Sequence, residues 1–117
     1  MTTIKKYDLE DRTFQFTQNV RDYVNDLSRK ITSIEIGKQL MRSAGSVGAN
    51  YIEANESLSK KDFLMRIKIC KKEAKETKYW LKLSEPKNGF RDLRTRLISE
   101  SDELMKIFGA IVQKTQI

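Results

Sequence analysis

The chain has 117 residues, 33% charged and 38% hydrophobic, which is typical of one folded domain and excludes a disordered chain. It has no histidine and one cysteine, so it lacks the commonest general base and cannot build a zinc or iron–sulfur site. Its formal net charge of +7 favours a polyanionic partner.

The first predicted helix covers residues about 9–31. Apolar positions recur every three or four residues from Leu9 to Ile31, which is the spacing of one helix face. Thr32-Ser33 then predicts a short break before the second helix. No signal peptide precedes the first helix, since the N-terminal residues lack an apolar core.

The second predicted helix covers residues about 35–55, and its apolar positions continue to Leu58. Gly45 and Gly48 lower its helix propensity, so a strand over residues 46–52 is the alternative. We favour the helix because the apolar spacing stays at three and four and no second strand is available for pairing. The two glycines then indicate the close approach of a neighbouring helix.

The third predicted helix, residues about 60–83, has three different faces. Ser59 and Asp62 form a capping pattern at its start, and a core stripe runs from Phe63 to Leu81. At about 100° per residue, the lysines gather on one side of this stripe and the acids Asp62, Glu73 and Glu76 on the other. The acidic side also carries a second apolar set, Met65, Ile69, Trp80 and Leu83.

The fourth predicted helix covers residues about 90–114, after a turn marked by Pro86 and Asn88-Gly89. Four amphipathic helices of similar length with short connections predict an all-α, up-down-up-down four-helix bundle. We expect residues 1–117 to form this single domain.

The lysine side of the third helix is the candidate nucleic-acid-binding surface. Residues 60–82 contain nine basic and three acidic residues, so nearly all the excess charge of the chain lies there. A concentrated basic face suits nucleic acid first, and an interleaved tyrosine can stack on a base. The predicted binding residues are Lys68, Lys71, Lys72, Lys75, Lys78, Tyr79 and Lys82. The alternative is a solvated face that keeps the protein soluble.

The second apolar set is the candidate subunit interface, because a helix inside one small bundle needs a single core stripe. A surplus apolar face usually marks association. Lysines on one flank and acids on the other suit head-to-tail contacts, which can close into a ring. The alternative is that Trp80 covers a core edge within its own chain.

One motif of the second and third helices resembles a known family. It consists of Gln39-Leu40, Arg42, Ala44, Ser46-Val47, Asn50 and Glu53, followed by Ser59 and Phe63. This pattern is similar to that of the four-helix-bundle proteins encoded within intervening sequences of 23S ribosomal RNA genes. The chain departs from it at Ala54-Asn55, where glycine is common, and at Thr32-Ser33, where Phe-Pro is usual.

The resemblance implies a bacterial bundle that assembles as a ring-like homopentamer. The accessory protein of diversity-generating retroelements looks like a distant relative, and it binds nucleic acid. The resemblance supplies no biochemical activity. Ser43, Ser46 and Asn50 lie on one flank beside the core stripe of the second helix, and this position leaves open a structural hydrogen-bonding role or a contact with RNA.

The sequence therefore predicts a non-enzymatic, oligomeric bundle that binds RNA or another nucleic acid. The alternative is a scaffold that recruits a protein partner through its basic face. We expect no catalytic residues, no cofactor, no metal and no membrane association, because no residue constellation supports them. The single cysteine favours a reduced, cytoplasmic setting.

Overall fold

The computed structural model describes the backbone of residues 4–116 and the side chains of residues 9–116. All regular structure in this part of the chain is helical. The elements are α1 (Ile4–Asn25), α2 (Ile31–Asn55), α3 (Lys60–Leu83), a 3-10 turn (Asn88–Phe90) and α4 (Arg91–Gln116). Each helix packs on the next, and α4 also contacts α1. The prediction of one all-α domain with four helices is confirmed.

The α1–α2 connection lies earlier than the sequence pattern predicts. α1 ends at Asn25 rather than near Ile31, and α2 already begins at Ile31, so Thr32-Ser33 lies inside its first turn. The Ser28 hydroxyl accepts from the Lys30 backbone N–H at 3.4 Å and donates to the Ser33 hydroxyl at 3.0 Å. Such local side-chain bonds compete with helical ones, which explains the early end of α1.

Two residues assigned to the core stripes lie in solvent. Ile31 is 80% exposed because it is the first residue of α2, not the last turn of α1. Leu58 is fully exposed because α2 ends at Asn55, after which helical phase no longer applies. At the other end of α1, the helix begins at Ile4, five residues before the predicted start, because no breaker interrupts this segment.

The capping pattern of α3 is confirmed. The Ser59 side chain accepts a hydrogen bond from the Asp62 backbone N–H at 3.1 Å, which satisfies one of the free donors of the first turn. Asp62 also places a negative charge at the positive end of the helix dipole. α3 then continues without interruption to Leu83. Residues of the same helical phase therefore stay on the same side of the helix along its whole length.

The core lies between the four helices and consists of aromatic and aliphatic side chains from each. Its largest fully buried members are Phe16, Val20, Tyr23, Leu40, Val47, Ile67, Leu81, Leu104 and Phe108. Cys70 is buried among them and donates from Sγ to the Val47 carbonyl at 3.4 Å. Burial raises the pKa of this thiol to about 12, so it stays protonated at neutral pH.

The glycines of α2 play different roles. A Cβ on Gly48 would lie 3.4 Å from Thr13 Oγ1 of α1, so close helix approach accounts for this glycine. At Gly45 the same explanation is wrong, because a Cβ there meets no atom within 4 Å. The tightest position is Gly37, where a Cβ would lie 3.0 Å from Val24 Cγ1.

Candidate nucleic-acid interface

The lysines of α3 form a strip along the exposed side of the helix. Of the six lysines predicted to bind, five have exposed side chains: Lys68, Lys71, Lys72, Lys75 and Lys82. Among the described residues, none of these five forms an ion pair. At about 1.5 Å per residue the strip is about 21 Å long. Its charge is therefore open to an external anion.

Two lysines of the strip interact with α4. Lys78 donates to Asp102 Oδ1 at 2.8 Å, and its side chain is partly buried, so part of its charge is already neutralised. The Lys71 side chain passes over Gly109, where a Cβ would lie 3.7 Å from its Nζ. The basic surface therefore extends from α3 onto the adjoining face of α4.

A groove of about 450 Å³ lies at the C-terminal end of the strip. Tyr79, Leu83 and Met105 give it an apolar lining, and Lys75, Lys78 and Lys82 complete its wall. The Tyr79 side chain is 60% exposed. Its ring meets the Trp80 ring edge to face, with centroids 5.0 Å apart, so the exposed aromatic surface has a neighbour that restrains it.

The end of α3 beneath this groove is held by side chains from other helices. Arg94 of α4 donates from Nε to the Leu81 carbonyl at 2.8 Å and from Nη2 to the Lys82 carbonyl at 2.6 Å. A guanidinium here satisfies free carbonyls and complements the negative end of the helix dipole. The Tyr23 and Ser84 hydroxyls are hydrogen-bonded at 2.6 Å directly below. These contacts fix the last turn, which carries Lys82.

The predicted interface set borders the lysine strip and does not form a separate face of its own. Met65 shares a second groove, of about 640 Å³, with Lys60, Lys61, Leu64 and Lys68 near the start of α3. Leu83 lines the groove at the other end with the lysines. Ile69 and Trp80 are half-buried, and Trp80 packs against the core. Basic and apolar side chains therefore alternate at both ends of the helix.

Two acids of the flank, Glu73 and Glu76, contact α2, whereas Asp62 is exposed. Arg42 donates from Nη1 to Glu73 Oε1 at 3.4 Å and from Nη2 to Glu76 Oε2, and it also bonds Gln39. Trp80 Nε1 donates to the same Glu76 oxygen at 3.0 Å. The Trp80 bond and then the Arg42 contacts lower the pKa of Glu76 below its ordinary value. Arg42 of α2 and Trp80 of α3 therefore bind the same Glu76 oxygen.

Comparison with known proteins shows the family of this chain. The family described as 23S rRNA-intervening sequence protein matches residues 5–110. The chain belongs to this family. No curated protein matches the sequence.

A solved structure supports the same fold. It is the crystal structure of a protein with unknown function from the S23 ribosomal protein family of Bacteroides thetaiotaomicron VPI-5482. The two chains are 28% identical, the match covers 88% of this chain and 96% of the other, and the TM-score is 0.76.

In this chain, the motif residues Arg42 and Asn50 take part in a polar seam between α2 and α3. Asn50 donates to the Ser46 carbonyl and hydroxyl, each at 2.9 Å, and accepts from Arg66 Nη1 at 2.8 Å. Arg42 and Asn50 therefore hold α2 against α3, Ser46 holds the Asn50 side chain, and Glu53 is exposed.

Sequence reasoning missed the two α3 partners in this seam. Glu73 is buried within its own chain, although the pattern placed it on the acidic flank beside the predicted subunit interface, and Arg66 bonds the motif asparagine although it was counted only as basic charge. A signal for Glu73 existed, because helical phase puts it about 40° from the core residue Thr77.

The described part of the chain offers neither a metal-binding cluster nor a membrane-spanning helix. No group of three or more histidine, cysteine, aspartate or glutamate side chains there is placed to hold a metal ion. None of the described helices has the length and apolar character needed to cross a membrane.

Proposed function

We propose that this family member is a non-enzymatic, oligomeric helical bundle that binds RNA or another nucleic acid in the cytoplasm. One observation carries the proposal: five exposed lysines of α3 have no ion-pair partner among the described residues. A row of like charges without acidic partners produces a positive potential along the helix, which attracts a polyanion. The family description, which refers to 23S rRNA, makes RNA the first polyanion to test.

Binding by this strip is mainly electrostatic, so it depends strongly on salt. Neutralising Z phosphates of a single strand gives a slope of about −0.7Z in log K against log salt. Five lysines predict a slope of about −3.5 per chain. A slope near zero would contradict binding by the strip.

The decisive variant is the triple charge reversal Lys68→Glu, Lys72→Glu and Lys75→Glu. Binding of labelled structured RNA, followed by fluorescence anisotropy, should be lost near physiological salt. Any residual slope should approach about −1.5, because two open lysines remain. If the variant binds as tightly as the parent, the proposal is wrong.

A matched control separates the strip from the overall charge. Reversing Lys30, Lys87 and Lys114 changes the net charge by the same amount outside α3, at exposed lysines that also form no ion pair among the described residues. We expect this control to retain most of the binding. Recovery of one stoichiometric protein after nuclease treatment, without RNA binding, would instead favour the scaffold function.

The proposal includes an up-down-up-down topology and assembly into a ring-like homopentamer. Contacts between neighbouring helices support the topology, since residue numbers fall along one helix as they rise along the next: between α1 and α2, Thr17 bonds Ala44 and Glu10 bonds Asn55. Half-buried Ile69 and Trp80, with exposed Met65, support association. Replacing both Ile69 and Trp80 by alanine should lower the mass in light scattering while the helical signal persists.

A further inference from the structure

We propose that the groove at the C-terminal end of α3 is a subsite for one unpaired base of single-stranded RNA. The base would stack on Tyr79 over the apolar lining of Leu83 and Met105. Its flanking phosphates would contact Lys75 and Lys82. This inference rests on the proposed function and narrows it, because nucleic acid can bind a lysine strip without presenting any base.

The lining of the groove has the two parts that such a ligand requires. A nucleotide joins a flat apolar base to an anionic phosphate, and sequence-tolerant single-strand sites combine aromatic platforms with basic grooves. The six residues that line this groove are one aromatic, two apolar and three basic side chains, with no acid among them. The volume of about 450 Å³ is in the range of small-ligand sites.

The basic side chains are spaced along one edge of the aromatic surface. Lys75, Lys78 and Lys82 follow one another by three and four residues, so they rise along the same side of α3 by about 10 Å. Asp102 holds Lys78 at 2.8 Å and fixes its position beside the groove. The other two ammonium groups have no ion-pair partner within residues 9–116, and they carry the free charge for phosphates.

Base stacking favours an unpaired strand over a duplex. The bases of a duplex are already stacked and their faces are covered, so only a splayed base can cover the Tyr79 ring. The edge-to-face contact with Trp80 restrains this ring before the ligand arrives. A restrained platform loses less side-chain entropy on binding than a free one.

Trp80 provides a direct readout because it is the only tryptophan in the chain. Its ring centroid lies 5.0 Å from that of Tyr79, so a base on Tyr79 should quench its emission. Titration with a short oligouridylate should therefore quench Trp80, whereas inorganic polyphosphate should bind the lysines without quenching. A duplex RNA of equal length should bind with little quenching.

Phe14 and Tyr79, two exposed aromatic residues of the described part of the chain, give a matched pair of variants. Tyr79→Ala should weaken oligouridylate binding by about 5- to 100-fold and leave polyphosphate binding unchanged. Tyr79→Phe keeps the ring and should bind within about twofold of the parent. Phe14→Ala removes an aromatic side chain of similar exposure, 62% against 60%, from α1 and should have no effect.

The outcomes separate this inference from the proposed function. Equal loss for Tyr79→Ala and Phe14→Ala, or equal quenching by polyphosphate, overturns the base subsite while RNA binding by the lysines stands. A lower native mass for Tyr79→Ala with unchanged RNA affinity shows that a second copy covers the groove, which also overturns it. If no RNA binds the parent protein, both proposals fail. Unchanged thermal unfolding of each variant shows that the fold is intact.

Discussion

The Arg42 contact with Glu73 should contribute measurably to stability, unlike most surface ion pairs. The Glu73 side chain is 11% exposed and the Arg42 side chain 47%, so the pair is intermediate between buried and exposed. Exposed pairs contribute up to about 1 kcal/mol, and breaking a buried pair costs about 3–5 kcal/mol. We therefore expect Arg42→Ala to lower the free energy of unfolding by about 2 kcal/mol, since it leaves a buried carboxylate without its partner.

Urea unfolding followed by circular dichroism at fixed protomer concentration measures this change. In a thermal scan the midpoint should fall by about 6–12 °C. Arg21→Ala is the matched control, because the Arg21 pair with Asp22 is more than half exposed on both sides and should cost less than about 0.5 kcal/mol. In a Glu73→Gln background, Arg42→Ala should cost at least about 1 kcal/mol less. Equal small losses for the two arginine variants would refute the argument.

Three further changes test other contacts. Gly45→Ala should stabilise the protein by about 1 kcal/mol in urea unfolding, whereas Gly37→Ala should not, because its Cβ would lie 3.0 Å from a valine methyl of α1. Because the pKa of Glu76 is lowered in the folded protein, its ionised carboxylate stabilises the fold at pH values above the ordinary pKa of the carboxyl. This stability is lost as the pH falls through the pKa of Glu76 in the folded protein. Trp80→Phe removes the indole hydrogen bond, which is the largest cause of this lowered pKa. The urea midpoint of the variant should therefore fall less on acidification than that of the parent. Arg94→Ala should cost about 1–2 kcal/mol by thermal unfolding, because two carbonyls at the end of α3 lose their donors.

The fold could be read from the sequence wherever one helix carried its own start and stop signals. α3 begins at the serine cap and ends before Pro86, as its residues indicate. The α1–α2 junction could not be read in the same way, because Leu27 and Ile31 are four residues apart and continue the apolar stripe across the break. The structure shows the break in the backbone bonds of Asp26 and Leu27, which close the last turn of α1, and in the Ser28 bonds to the start of α2.

The site was predictable to the extent that it lies on one helix. Helical phase alone places Lys68, Lys75 and Lys82 on one side of α3. The groove beside them needs Met105, and the partial neutralisation of Lys78 needs a residue of α4. Both depend on how α3 and α4 pack, and the periodicity of a single helix contains no information about its neighbour.

Native mass measurement of the purified protein, before and after nuclease treatment, tests the central claim most directly. The account predicts an assembly of several 13.7 kDa chains, about 68 kDa for five, which persists after nuclease treatment and carries additional nucleic-acid mass before it. A particle with the mass of one chain and no bound nucleic acid under both conditions would contradict it.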